Sequence, residues 1–107
     1  MRLATLGLSV IVLIPHLPAQ TGRKGDAAAG KDVFEAQCLS CHNADSTEPK
    51  EGPGLKGVKN GKLPSGAPAT RDDILDLINS GRDAMPSFRE LLTDRQKEDV
   101  IAYVLTL

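Results

Sequence analysis

Tryptophan is absent from this chain of 107 residues, and only Phe34, Phe88 and Tyr103 are aromatic. A domain of this size buries a modest core and commonly leans on a staple, a metal or a cofactor. With so few aromatic rings, apolar bulk has to come from elsewhere. Cysteine is scarce too: Cys38 and Cys41 are the only two, and beyond Pro18 they are joined by a single histidine, His42. Structural zinc takes four Cys or His ligands, so these three residues exclude it. The net charge of −1 gives no basic excess, which argues against a nucleic-acid footprint. No stretch alternates with the period of two that marks a half-buried strand, and no internal repeat is present. The longest apolar run, Leu3 to Ile14, falls short of the roughly 20 residues a membrane-spanning helix needs.

That run has the anatomy of an export signal. Arg2 is a minimal positive region, Leu3 to Ile14 an apolar one, and Pro15 to Ala19 a breaker followed by a small residue. The expected organisation is a signal peptide over residues 1–19, a polar linker over 20–25 and one domain over 26–107. Leu17 departs from the small-residue pattern before the cleavage point, so an uncleaved tether is the alternative. Cleavage leaves 88 residues with a net charge of −2. The expected location is periplasmic or otherwise exported, with no stable membrane insertion after cleavage.

Everything in the domain is arranged around Cys38-Leu39-Ser40-Cys41-His42. Residues three apart lie on one face of a helical turn, so both thiols can form thioethers to one edge of a porphyrin. The histidine that follows then falls under the ring centre. This is the spacing of a c-type haem attachment site. A disulfide between the two cysteines would close only a tiny loop and leave His42 without a reason. A thioredoxin-like pair would want a βαβ setting, and nothing near residue 38 resembles a buried strand. One covalent haem c, held by Cys38 and Cys41 and ligated by His42, is the expectation.

Asp26 is placed to cap a first helix running through Gly30, Val33 and Phe34 toward Cys38. Gly30 weakens that helix relative to alanine, which suits either a close backbone approach or a tolerated surface glycine. From Asn43 to Ala69 the composition turns to Gly, Pro, Lys and Ser, centred on Glu51 to Gly57. So long a loop is uncommon in a compact domain unless functional, and wrapping a haem edge would be such a function. Leu55, the lone apolar side chain among turn residues there, is expected against the ring. Thr70 with Asp73 and Thr93 with Gln96 have capping-box spacing, opening a second helix that Gly81 stops and a last helix whose apolar face includes Val100, Ile101, Tyr103 and Val104. Met85 stands on an irregular stretch before Pro86, which disfavours helical backbone at Met85. A methionine is ordinarily core filler. Its place off any helical stripe instead suits a second axial ligand, closing the iron for electron transfer.

Taken in order, Gly30 and Phe34, Cys38 to His42, Gly52-Pro53-Gly54-Leu55-Lys56-Gly57, Met85-Pro86-Ser87-Phe88, and Val100 to Val104 resemble the small class I c-type cytochromes of bacteria and photosynthetic organisms. The resemblance spans the whole predicted domain. It implies an all-α cytochrome c fold of three to four helices around one haem, with first and last helices crossing at Gly30 and Phe34 near Tyr103. It also implies that the Pro53 carbonyl accepts a hydrogen bond from His42 Nδ1. Departures are the missing tryptophan and the lack of identifiable propionate partners. The 42 residues between His42 and Met85 make the short bacterial and algal members the better analogy.

With metal ligands His42 and Met85, and with Cys38, Cys41, Pro53 and Leu55 completing the haem contacts, the expected protein is a soluble monomeric electron carrier between redox protein partners, not an enzyme. A haem enzyme or gas sensor with an open iron, or a module dedicated to one dehydrogenase or oxidase, is the alternative. Lys50, Lys56, Lys59 and Lys62 on the loop against Asp72, Asp73 and Asp76 on the middle helix would either steer partners or merely solubilise the loop.

Overall fold

The computed structural model describes Gly7, residues 10–15 and residues 24–107. The export signal and linker expected over 1–25 therefore lie mostly outside the described residues. Among the described residues three helices form, α1 (Ala27–Gln37), α2 (Arg71–Ser80) and α3 (Asp94–Val104), with one 3-10 turn at Val58–Asn60. Among the described residues there is no strand, only two isolated bridges, Lys62 to Pro68 and Arg82 to Met85. No described helix is long and apolar enough to cross a membrane.

Each helix starts where a side chain satisfies its first amides. Asp26 accepts from the N–H groups of Ala28 and Ala29. Thr93 and Gln96 form a complete reciprocal box at α3. At α2 the pair behaves differently: Thr70 Oγ1 accepts from the Asp73 N–H at 3.3 Å but donates to the Asp73 carboxylate at 2.7 Å, while the Thr70 N–H goes to Pro68. Aspartate is one methylene shorter than glutamate, and here it meets the hydroxyl and not the backbone. Gly81 ends α2 with φ +68° and extended ψ.

The helices α1 and α3 cross. At Gly30 a Cβ would collide with the Asp99 backbone and come within 3.0 Å of Tyr103 Cβ; only a hydrogen side chain lets the two backbones meet there. Phe34 and Tyr103 stack beside it at 5.3 Å between centroids, tilted by 59°. The buried Asp99 carboxylate reaches across to accept the Asp26 N–H at 2.8 Å and also takes the Arg95 guanidinium. Lys97, buried as well, donates to the Arg89 carbonyl at 3.0 Å, tying α3 to the segment before it. The core of Phe34, Ile74, Ile78, Phe88, Leu92, Val100, Ile101 and Val104 lies between the three helices, and a large cavity opens on its far side.

Candidate cofactor site

Cys38 caps α1, and the attachment segment leaves the helix as a continuing turn: the N–H groups of Cys41 and His42 both donate to the Cys38 carbonyl, at 3.1 and 2.9 Å. The two thiols and the imidazole are thereby held on one short arc. Neither cysteine is in a disulfide. Burial, with a smaller contribution from Cys41 beside it, pushes the Cys38 thiol up to about 11, so that sulfur stays protonated at neutral pH.

The loop that follows is stitched back onto this arc. Gly52 N–H donates to the Cys41 carbonyl and Leu55 N–H to the Asn43 carbonyl, both at 2.8 Å. Between these two bonds the Pro53 carbonyl is fixed 2.8 Å from His42 Nδ1. A carbonyl only accepts, so the imidazole proton sits on Nδ1 and the lone pair on Nε2. Gly52 presses against the same ring: a Cβ there would lie 2.5 Å from His42 Cε1.

Cys38, Cys41, His42, Pro53, Leu55 and Met85 all line one cavity of about 670 Å³. Phe34, Ile74, Ile78, Phe88, Val100 and Val104 supply its apolar floor, and Lys62, Arg82, Asp83 and the exposed Leu91 stand at its rim. The volume falls within the usual range of cofactor sites, about 300–1,000 Å³. Its walls are mainly apolar, with Gln37, Ser40 and Glu51 among the polar lining, and the groups able to bond a metal or a vinyl carbon are two thiols, an imidazole with a free Nε2 and a thioether. Such a donor set suits a flat apolar macrocycle that carries a metal and accepts two covalent links. Among the described residues no cluster of three or more Cys, His, Asp and Glu could hold a bare metal ion.

Of the four loop lysines, only Lys62 borders the cavity. Lys50 instead donates to the Leu39 carbonyl at 3.1 Å, clipping the loop over the attachment turn. Sequence reasoning passed over Gly52, Arg82 and Ser87. Gly52 and Ser87 sit inside motifs already singled out, so the adjacency was the available signal, whereas nothing local marks Arg82 as a rim residue.

Residues 25–104 match the family model described as cytochrome C oxidase, cbb3-type, subunit III. The chain is 36% identical to the cytochrome c6 of Rippkaea orientalis, over 97% of this chain and 91% of that protein. It is 36% identical to the cytochrome c6 of Leptolyngbya boryana, over 75% of this chain and 91% of that one. Among solved structures, cytochrome c6 from the diatom Phaeodactylum tricornutum aligns with a TM-score of 0.59 at 33% identity, covering 77% of this chain and 93% of its own.

Proposed function

The chain belongs to the class I c-type cytochromes, and on that footing we propose that it carries single electrons between redox proteins, and that Cys38 and Cys41 would hold one haem c covalently while His42 and Met85 would ligate its iron. The observation that carries this reading is the convergence of both thiols, the imidazole and the only non-initiator methionine on one apolar cavity. When bound, the haem supplies an iron that changes oxidation state by one electron. The protein's residues do the rest. Cys38 and Cys41 hold the ring permanently, which suits a carrier diluted outside the cytoplasm. The Pro53 carbonyl keeps the proton on His42 Nδ1, orients the ring and raises its donor strength. Met85 would offer the iron a soft sulfur that favours the ferrous state, and Phe34, Ile74, Phe88 and Val100, which line the cavity, would exclude water and disfavour the extra ferric charge. With His42 and Met85 both holding the iron, little would have to move when the electron does.

Replacing Met85 with alanine tests the assignment. The sulfur-to-ferric-iron band in the near infrared is expected in the parent protein and absent in Met85→Ala, while the ferrous variant gains rapid carbon monoxide binding. A parent protein that already binds carbon monoxide rapidly at neutral pH would favour an open-iron enzyme or sensor instead. The cbb3-type description of the matching family favours a second reading, a module that delivers electrons to one oxidase; a stable stoichiometric complex, in place of weak salt-sensitive encounters, would distinguish it. Export rests on Arg2 and the apolar run from Leu3 to Ile14. Mass spectrometry of the purified native protein reads both the haem mass and cleavage after Ala19.

A further inference from the structure

We propose that Ser87 is a positioning residue for Met85, acting through the C-terminal end of α2; the inference rests on the reading of Met85 as an iron ligand. The segment from Gly81 to Phe88 leaves α2 and folds back on it. Arg82 and Met85 exchange two backbone hydrogen bonds, Arg82 N–H to the Met85 carbonyl at 3.0 Å and Met85 N–H to the Arg82 carbonyl at 2.8 Å. The tight turn between them holds Asp83 at φ +49°, left-handed backbone that a residue with a Cβ adopts only under strain. That turn ties Met85 to its own loop and not to the body of the protein.

The connection to the body comes from the other side. Phe88 is buried and its N–H donates to the Ile78 carbonyl at 2.8 Å. Ser87 Oγ donates to the Asn79 carbonyl at 2.5 Å and accepts from the Arg89 N–H at 3.3 Å. The Asn79 carbonyl belongs to the last turn of α2, where carbonyls lack a helical partner, so the Ser87 hydroxyl completes the helix end and anchors the loop with one bond. Gly81 makes the close seating possible: with φ +68°, a Cβ on it would stand 2.6 Å from the Met85 carbonyl oxygen and 2.8 Å from the Ser87 nitrogen. The Met85 backbone therefore packs against the C-terminal end of α2 at Gly81, and Ser87 supplies the side-chain hydrogen bond that ties the segment there.

An added ligand can reach the iron on this face only when Met85 has left it, so its apparent affinity scales with the fraction of molecules in which the loop is open. Losing one hydrogen bond raises that fraction by roughly 3- to 10-fold. The test is an imidazole titration of the ferric holoprotein, followed in the visible spectrum, for the parent, Ser87→Ala, Ser87→Thr and Asp26→Ala. Ser87→Ala is expected to bind imidazole about 3- to 10-fold more tightly, and Ser87→Thr, which keeps the hydroxyl, to return to within about twofold of the parent. Asp26→Ala removes the side-chain cap of α1, a different element, and lowers overall stability without changing imidazole affinity. Equal affinity in Ser87→Ala and the parent, failure of threonine to restore it, or an equal change in Asp26→Ala would overturn the role of Ser87. Absence of the near-infrared sulfur band from the parent would overturn the ligand reading itself, independently of the titration.

Discussion

Gly52 shows how a residue with no side chain sets the chemistry of one that has it. Its N–H bonds the Cys41 carbonyl and its α-carbon faces the His42 ring, so the neighbouring Pro53 carbonyl can sit 2.8 Å from Nδ1. A methyl at Gly52 must push either the ring or the loop away. We expect Gly52→Ala to lower the unfolding free energy by about 1–3 kcal/mol, as overpacking does. With His42 ligating the iron as proposed, losing the Pro53 bond would weaken it as a donor, remove support from the ferric state and move the reduction potential upward. Protein-film voltammetry and a guanidinium titration check this, and values unchanged from the parent in both would sink it. Cys38, Cys41 and His42 were legible because their spacing is local chemistry. Gly52 was not, because the atom it approaches lies ten residues earlier, and the distance is set by how the loop folds back.

Local and distant information separate the same way among the helices. Asp26, Thr70 and Thr93 all start helices where their spacing puts them, since a cap needs only the next three residues. Asp99 was not legible: its partner is the N–H of Asp26, 73 residues away, and only the crossing of α1 and α3 makes that pair. The same crossing decides what Gly30 is for. In an isolated helix Gly30→Ala would stabilise α1 by about 1 kcal/mol. Here the added carbon meets the Asp99 backbone, which cannot rotate away as a flexible side chain would, and overpacking costs about 1–3 kcal/mol. Because the collision is with main chain, the penalty should sit at the upper end and exceed the propensity gain. The expected net loss is about 1–2 kcal/mol, seen as a lower guanidinium midpoint with the folded protein's visible spectrum intact. A midpoint at or above the parent's would show that α1 and α3 part without penalty.

For the whole molecule, the scarcity of aromatic residues and the size of the cavity are one fact. Phe34 and Phe88 are the only phenylalanines and both line it, together with Ile74, Ile78 and Val100. Leaving about 670 Å³ unfilled forgoes the contacts that close packing would supply along its walls, a cost that grows with the volume of enclosed void. A domain's entire stability is about 5–15 kcal/mol. Losing even a few kcal/mol to an unfilled cavity would consume much of what holds α1, α2 and α3 together. The helices are short, at 10 or 11 residues each, and helices of that length are marginal by themselves. The prosthetic group is thus expected to complete the core, making the fold and the redox site one cooperative unit. A Cys38→Ala/Cys41→Ala chain purified without haem is accordingly expected to lose more than half of the parent's helical circular dichroism and to melt without a sharp transition. The α1 and α3 amides, including those near Phe34 and Tyr103, should exchange freely with solvent. Native-like ellipticity with a cooperative melt in that haem-free chain would mean that the protein alone closes its core, and that the cavity is a preformed receptor.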